Sequence, residues 1–539
     1  MNPVELSIFA NRIEAICDEM GAALQRAAFS PNIRDRLDYS CAVFDAGGRL
    51  CAQAAHIPVH LGSMAFAMAG IVEGVDWREG DMIILNDPYM GGTHLPDVTL
   101  IAPVLVDTML IGFVANRAHH ADIGAEEPGS MPLSASLAEE GLVIKPQKLV
   151  ERFNINEDLL DQLMVSMRNP GESKGDFSAQ IAANRRGQRR LHELVEVMGK
   201  VQYLGALEAL NDYAEQLAVA SFNAIPDGEY RFSDVLDDDG LGHTDIEIHS
   251  CIQVNHGKVS VDFNGTSDQV RGNVNCPISV TAAAVYYVFR CLLPPQAPAC
   301  AGSFRPITIS AAKGSLLNAE FPAAVAAGNV ETSTRIVDVV LGALAQAIPE
   351  QVPAASHGSM NNLAMGSAAN EMGQVWDYYE TIGGGMGASS IDDGIDAVQT
   401  HMTNTLNTPI EALEMRFPIR IRRYQIRAGS GGRGACWGGA GIVREFEFLQ
   451  PANVTLLSER RSHAPWGLHG AGHGRCGRNL LNQQAIKAKQ NFSVRSGDRL
   501  VIETAGGGGW GRAHDSAEGG SPLTDRFRKS ADTIGPAAG

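Results

Sequence analysis

The chain has 539 residues, 45% of them hydrophobic and 19% charged, which is typical of a globular protein with two to four domains. Lys and Arg number 43 and Asp and Glu 61, and the net charge of −18 argues against nucleic acid or an anionic membrane as the main partner. No signal peptide or membrane-spanning run is recognisable, and the nine cysteines are scattered without a CxxC pair. We therefore expect a cytoplasmic protein with reduced thiols.

The N-terminal third contains one long helix pattern and several strand patterns. Apolar residues recur at helical spacing over 4–29. A hairpin follows, with strands 39–45 and 49–55 joined by a glycine turn. Two apolar runs, 98–106 and 109–115, come next, and we expect them to pair as neighbouring strands.

The period of the pattern changes several times in the rest of the chain. Residues 156–213 are mostly helical, with a break at 169–171, and strand-like alternation begins at 228. Helices are predicted at 280–293 and 329–348. The fold class is therefore mixed α+β and multi-domain, with an N-terminal α/β part followed by β-rich parts with crossover helices. The predicted segments are 1–150 (α/β), 151–227 (helical), 228–410 (β-rich with crossover helices), 411–511 (C-terminal β-rich) and 512–539 (disordered tail).

Potential metal ligands lie at the ends of the two paired runs. His94 and Asp97 precede the first run and His119 follows the second, so pairing of the runs brings them towards one another. Asp38, at the mouth of the hairpin, could complete the set. The alternative is that His94 is an ordinary turn residue and Asp97 caps the turn locally.

The side chain of His120, directly after His119, is expected to point to the opposite face of the chain. Adjacent residues of an extended chain point to opposite faces, so at most one of His119 and His120 binds an ion directly. The other could orient substrate or transfer a proton, and Asp122 shares the parity of His120. Two imidazoles and two carboxylates suit Zn²⁺, Mn²⁺ or Fe²⁺ and leave a position for water, whose pKa such an ion lowers towards ~7.

The glycine clusters carry no nucleotide-binding signature. The stretches 383–388 and 505–511 lack the Gly-Lys-Ser/Thr ending of a P-loop, so we interpret 505–511 as a tight turn. A polar pocket for an amide or cyclic imide could form where 379–388 approaches 401–409. The candidate substrate-binding residues there are Glu380, His401 and Asn404, with Asn407 beside them.

Several longer stretches resemble the hydantoinase B/oxoprolinase family. They include RDRLDYSCAVFDAGGRL (34–50), HIPVHLGSM (56–64), NDPYMGGTHLPDVTLIAPV (86–104), RAHHADIGA (117–125), GNVETSTRIVDVVLGAL (328–344) and HMTNTLNTP (401–409). The resemblance implies a B-type subunit that works with an A-type partner of actin-like fold, which binds ATP with Mg²⁺. It also implies a metal ion at the positions of Asp38, His94, Asp97 and His119.

The resemblance implies two reactions, hydrolysis of cyclic amides (hydantoins, 5-oxoproline, lactams) and carboxylation of ketones. The first is our main hypothesis: the partner phosphorylates the amide oxygen, the metal in this chain activates water, and His120 or Asp122 serves as general base or orienting group. The alternatives are a ketone carboxylase and a non-catalytic subunit with a structural metal.

Overall fold

The computed structural model describes residues 2–54, 57–60, 62–367 and 375–513. Within these ranges the helices are α1 (Pro3–Ala27), α2 (Pro31–Arg34), α3 (Ser63–Ile71), α4 (Glu157–Val165), α5 (Pro170–Met198), α6 (Lys200–Phe222), α7 (Ile278–Cys291), α8 (Ser333–Leu344) and α9 (Ile410–Arg416). The strands are β1 (Tyr39–Asp45), β2 (Leu50–Ala54), β3 (Met82–Leu85), β4 (Asp97–Val106), β5 (Met109–His119), β6 (Gln147–Glu151), β7 (Asn154–Ile155), β8 (Gly228–Asp238), β9 (Thr244–Asn255), β10 (Lys258–Asp262), β11 (Ile307–Ser310), β12 (Asn362–Ser367), β13 (Trp376–Glu380), β14 (Ile419–Arg427), β15 (Gly441–Phe448), β16 (Ala452–Leu457), β17 (Arg478–Leu481), β18 (Gln484–Ile486), β19 (Lys489–Val494) and β20 (Arg499–Glu503).

The N-terminal part is a seven-stranded antiparallel sheet in the order β2-β1-β5-β4-β3-β6-β7. Helices α1 and α5 pack together on one face, and α3 covers the other. Burial on both faces explains why β1 and β4 read as nearly continuous apolar runs. One apolar core joins this sheet to α4, α5 and α6, so the segments predicted as 1–150 and 151–227 share a core.

The remaining residues form three further sheets. One has the order β11-β10-β9-β8 and packs against α7 and α8 around a second core. The other two, β13-β12-β16-β19 and β14-β15-β20-β17-β18, share a third core. The mixed α+β, multi-domain class is confirmed, while the segment boundaries stay predictions and residues 514–539 of the tail lie outside the described residues. No helix in the described ranges is both long and apolar enough to cross a bilayer.

Two predicted helices differ from expectation at one end each. Helix α1 stops at Ala27 because the backbone N–H groups of Phe29 and Ser30 donate to the Asp176 carboxylate, at 2.7 and 3.1 Å. The helix predicted at 329–348 starts as a π-helical turn over Gly328–Thr332 before α8 begins. Single π-turns are rare and often occur at functional sites.

The C-terminal glycine clusters pack backbone against backbone. The N–H of Gly432 donates to the Gly507 carbonyl at 2.8 Å, and the N–H of Gly507 donates to Gly439 at 2.9 Å. A Cβ at Gly385 would lie 1.9 Å from the Gly439 oxygen, so no larger residue fits there. The stretch 505–511 is therefore a packing element rather than an isolated turn at a sheet edge.

Candidate metal centre

Three side chains converge where β4 begins and β5 ends. The register of these strands sets Asp97 opposite His119, as the pairing of the two runs predicts, and His94 precedes Asp97 by three residues. The three atoms Asp97 Oδ1, His94 Nε2 and His119 Nδ1 lie 3.2 Å from one another in every pair. Ligand atoms held about 2.0–2.1 Å from a tetrahedral ion are about 3.3 Å apart, so this triangle has the size of a metal site. Among the described residues it is the one such group of His, Cys, Asp or Glu.

Two buried atoms of the group lack a hydrogen bond within the described ranges. Asp97 Oδ1 and His119 Nε2 are buried and form no hydrogen bond. A buried polar atom left without a partner costs about 1–3 kcal/mol of stability. A cation in the triangle would satisfy the Asp97 oxygen, so the donor set fits a divalent first-row ion.

The loop before β4 is held in place by tight packing and by a buried guanidinium. Gly91 has a φ of +91°, and a Cβ there would lie 2.3 Å from the Ala67 nitrogen, so this position needs glycine. Arg117, which shares a face of β5 with His119, donates to the hydroxyls of Thr99 and Ser63 at 2.8 Å each. These contacts connect the loop, the sheet and the start of α3 into one rigid support.

A backbone carbonyl fixes the tautomer of His94. Its Nδ1 lies 3.2 Å from the carbonyl oxygen of Ala326, which can only accept, so Nδ1 donates and Nε2 of the neutral ring keeps its lone pair. The peptide that presents this carbonyl is anchored by Glu140, which accepts from the N–H groups of Val325 and Ala326 at 2.8 and 2.9 Å. The lone pair of Nε2 therefore faces Asp97 and His119.

Asp97 is oriented by two further side chains. Its Oδ2 accepts from the Thr93 hydroxyl at 2.5 Å and lies 3.3 Å from His60 Nε2. The other nitrogen of His60 lies 2.9 Å from the Ser40 hydroxyl. Sequence reasoning missed His60, because nothing in the strand pattern places it near a residue 37 positions later. The one feature of the sequence that could have drawn attention to His60 is its position inside HIPVHLGSM (56–64), a stretch that resembles the hydantoinase B/oxoprolinase family.

The electrostatics of the group favour positive charge. Burial alone would lower the pKa of His94, but the adjacent Asp97 carboxylate raises it. Burial likewise opposes ionisation of Asp97, yet His94 and His60 hold the pKa of Asp97 well below its usual range. The site thus keeps an ionised carboxylate next to two imidazoles, an arrangement that stabilises either a bound proton or a bound metal cation.

A small cavity of about 20 Å³ adjoins the triangle. Asp38 lines it and is buried, but its carboxylate is not part of the triangle; its backbone carbonyl accepts from the N–H of His119 at 3.0 Å. The Tyr379 ring stacks on His119, with centroids 4.9 Å apart, and Arg36 lies over the same ring. The volume is enough for one or two water molecules but too small for a substrate ring.

His120 and Asp122 lie away from this cavity. His120 Nε2 is 2.9 Å from Gln180 Oε1, and its ring stacks on Phe177. Asp122 accepts from the backbone N–H groups of Gly124, Arg168 and Asn169. The parity argument therefore separates His120 from His119, and neither His120 nor Asp122 enters our account of chemistry at the triangle.

The three predicted substrate-binding residues are not brought together at the cavity either. Glu380 forms a fully buried, bidentate pair with Arg444, at 2.7 and 2.9 Å. His401 is buried with its Nε2 3.7 Å from Asp338 Oδ1, and Asn404 is exposed. The neighbours of Asn404, Thr403 and Thr405, line the cavity instead. Alternation along this segment points residues 403 and 405 inwards and residue 404 outwards.

Comparison with known proteins agrees with this architecture. The hydantoinase B/oxoprolinase family matches residues 2–513. The chain is 40% identical to 5-oxoprolinase 1 of Arabidopsis thaliana, over 94% of this chain but only 42% of that protein. The structure is similar to ATP-dependent caprolactamase from Pseudomonas jessenii, with a TM-score of 0.89 and 28% identity over 98% of this chain and 94% of that chain.

A second solved structure, nucleotide-free acetone carboxylase, has a TM-score of 0.84 over 95% of this chain and 76% of that chain. Its 19% identity makes this a likeness of fold alone. The family match covers nearly all of the described residues and includes the stretches that supply His94, Asp97 and His119. The chain belongs to the hydantoinase B/oxoprolinase family.

Proposed function

We propose that this chain is the metal-bearing B-type component of an ATP-dependent enzyme that opens cyclic amides. The observation that carries the proposal is the buried triangle of His94, Asp97 and His119, found in a chain similar to proteins named 5-oxoprolinase and caprolactamase. A divalent ion held there, such as Zn²⁺, Mn²⁺ or Fe²⁺, would polarise an amide carbonyl and make water more acidic.

The chain's own residues have distinct tasks in this proposal. His94, Asp97 and His119 hold the ion, and Asp38 completes the polar wall beside it. His60 and Thr93 keep the Asp97 carboxylate in its orientation. The stacked rings of His119 and Tyr379 give the cavity an apolar side that would exclude bulk water. Because the cavity is small, a cyclic amide requires displacement of part of this wall before it can bind.

We propose that ATP, with Mg²⁺, binds to a separate A-type subunit. The carbonyl of a cyclic amide is stabilised by resonance, so transfer of a phosphoryl group to its oxygen makes a better electrophile. No P-loop or dinucleotide fingerprint occurs in this sequence, and more than half of the Arabidopsis relative lies outside the match. All nine cysteines are unpaired, which supports a cytoplasmic location for the complex.

The test is an assay of the complex with its A-type partner. Co-purified subunits are incubated with ATP, Mg²⁺ and 5-oxoproline, a hydantoin or caprolactam, and both ADP and ring-opened product are measured. We expect both to form with at least one substrate and to disappear after chelation of the tightly bound metal. Product formation that requires bicarbonate and a ketone would replace the proposal with a carboxylase. Turnover that survives complete metal removal would reject the role of the triangle.

A further inference from the structure

A second, larger cavity lies on the opposite side of β5 from the triangle. Its volume is about 130 Å³, close to the ~150 Å³ that accommodates a benzene-sized molecule. The polar residues that matter for its chemistry are His120, Asp122, Glu172, Asp176, Asp377 and Arg416. We call this space the His120 cavity. It is formed where the end of β5 and the first turns of α5 face the start of β13 and the end of α9.

Two buried acceptors in the wall of the His120 cavity receive no hydrogen bond from the described residues of the protein. The Asp377 side chain is only 5% exposed, and neither carboxylate oxygen forms a hydrogen bond. The nearest cationic atom, Arg168 Nη1, is 3.5 Å away and is itself without a hydrogen-bond partner. Buried carboxylates normally accept hydrogen bonds, so Asp377, whose contact with Arg168 is a loose ion pair at 3.5 Å, has both oxygens open to a further donor.

His120 supplies the second acceptor. Gln180 Nε2 donates to the carbonyl of Val98 and to Asn116 Oδ1, both at 2.9 Å, so Gln180 Oε1 must be the acceptor towards His120. His120 Nε2 therefore carries the proton. In this tautomer His120 Nδ1 keeps a lone pair, and it forms no hydrogen bond with the described part of the protein.

The charges around the cavity favour a cation. Asp122 and Asp176 accept only from backbone N–H groups, and Glu172 pairs with Arg416. Four carboxylates thus stand against three guanidinium groups, those of Arg416, Arg168 and Arg34, and Arg34 also pairs with Asp35; this balance disfavours an anion. A metal ion is also disfavoured, because within the described ranges three ligand atoms converge only at the triangle. The acceptors of this cavity are spread over its wall and do not converge at the distance of metal ligands. An organic ammonium group, which donates several hydrogen bonds, suits acceptors that are spread in this way.

We propose that the His120 cavity binds a small organic molecule with a protonated primary amine, whose N–H groups donate to Asp377 and to Nδ1 of His120. The carbon chain of such a molecule would lie against Trp376 and Phe417, which also line the cavity. The site is separate from the triangle, and the proposal does not depend on the reaction proposed above.

Calorimetric titration of the purified full chain with n-propylammonium tests the proposal, with propionate and tetramethylammonium as comparison ligands. We expect saturable binding of propylammonium at millimolar concentration. Propionate has the wrong charge and tetramethylammonium has no N–H donor, so neither should bind. In Asp377→Asn, affinity for propylammonium should fall at least 10-fold, the loss expected for a hydrogen bond to a charged group.

Asp161→Asn makes the same chemical change on α4, where the carboxylate is 71% exposed, and should leave the affinity unchanged. Asp377→Asn also removes the anionic partner of Arg168, 3.5 Å away, so circular dichroism has to show that this variant is folded. The comparison of the three ligands on the unmodified chain needs no variant. Absence of saturable propylammonium binding, equal binding of tetramethylammonium, or an unchanged affinity in Asp377→Asn would overturn the proposal.

Discussion

His119 and His120 are neighbours in sequence but belong to two different sites. His119 meets a carboxylate and a second imidazole in a 20 Å³ cavity, where three ligand atoms lie 3.2 Å apart. His120 hydrogen-bonds an amide and faces a 130 Å³ cavity whose donors and acceptors are spread out. The alternation of side chains along an extended strand produces this separation. Residue type alone therefore does not distinguish the two histidines as candidate metal ligands; the convergence of neighbouring donor atoms does.

The surroundings of the triangle and the His120 cavity also differ in the hydrogen bonds that each gives to a buried carboxyl group. Near the triangle, the Tyr379 hydroxyl donates to Asn362, whose amide donates to Glu331 Oε1. Burial, with repulsion from Glu459, raises the pKa of Glu331 to about 7. Burial raises the pKa of Asp377 in the His120 cavity to about 6. Glu331 thus accepts hydrogen bonds at one oxygen, whereas Asp377 accepts none from the described residues and has only the Arg168 ion pair at 3.5 Å.

The largest expected effect is the loss of catalysis on replacing Asp97. Asp97→Asn keeps the shape of the side chain but removes the charge at the centre of the triangle. Substitution of a residue that merely orients a metal ligand costs about 10–100-fold, so we expect loss of a ligand to lower kcat/KM of the complex by more than about 100-fold. Steady-state assays measure this, with the exposed Asp161→Asn as control. More than half of the original activity in Asp97→Asn would contradict the assignment.

The next effect is a change in the pH dependence of stability at Glu331. Its folded pKa of about 7 lies above the value of 4.5 for an unperturbed Glu, so its contribution to stability is present below pH 4.5 and is lost as pH rises through 7. Glu331→Gln keeps the Oε1 acceptor and removes the titration. Between pH 5 and pH 8.5 it should therefore gain up to about 3 kcal/mol relative to the unmodified chain.

Urea unfolding at the two pH values measures that gain. Glu350→Gln, an exposed carboxylate on the surface, is the matched control and should show no pH-dependent gain. A difference between Glu331→Gln and the unmodified chain that is the same at both pH values would show that burial does not perturb Glu331.

A smaller effect is expected for His60, which holds Asp97 without belonging to the triangle. His60→Gln removes the imidazole between Ser40 and Asp97 and should weaken metal binding by about 10–100-fold. Competition with a fluorescent zinc chelator measures the affinity. An affinity within twofold of the unmodified chain would mean that Thr93 alone suffices to orient Asp97.

The smallest effect is expected for substitution of His120, which points to the face of β5 opposite the triangle. His120→Gln removes the stacking on Phe177, whose ring centroid lies 4.4 Å from that of His120. We expect a loss of about 1 kcal/mol in the free energy of unfolding and no change in metal affinity. The same chelator competition and a urea titration give both numbers. A metal affinity reduced as strongly as in His60→Gln would remove the distinction between the two faces.

The sequence predicts those parts of the site that depend on local periodicity. Pairing of two apolar runs places Asp97 opposite His119, and alternation turns His120 away. The remaining parts depend on contacts between distant residues. The glycine-rich context of Glu380 suggests a substrate contact, but Arg444, 64 positions later, forms a bidentate ion pair with its carboxylate. The N–H groups after α1 are bound by Asp176, more than 140 residues away, which no helix rule anticipates.

Metal analysis of the purified chain and of two single variants, His119→Ala and His120→Ala, tests the central claim most directly. Inductively coupled plasma mass spectrometry gives the ions bound per chain, and circular dichroism verifies that each variant is folded. We predict one first-row divalent ion in the unmodified chain and in His120→Ala, and a substoichiometric amount in folded His119→Ala. An unmodified chain without bound metal, or equal metal content in the two folded variants, would contradict the claim.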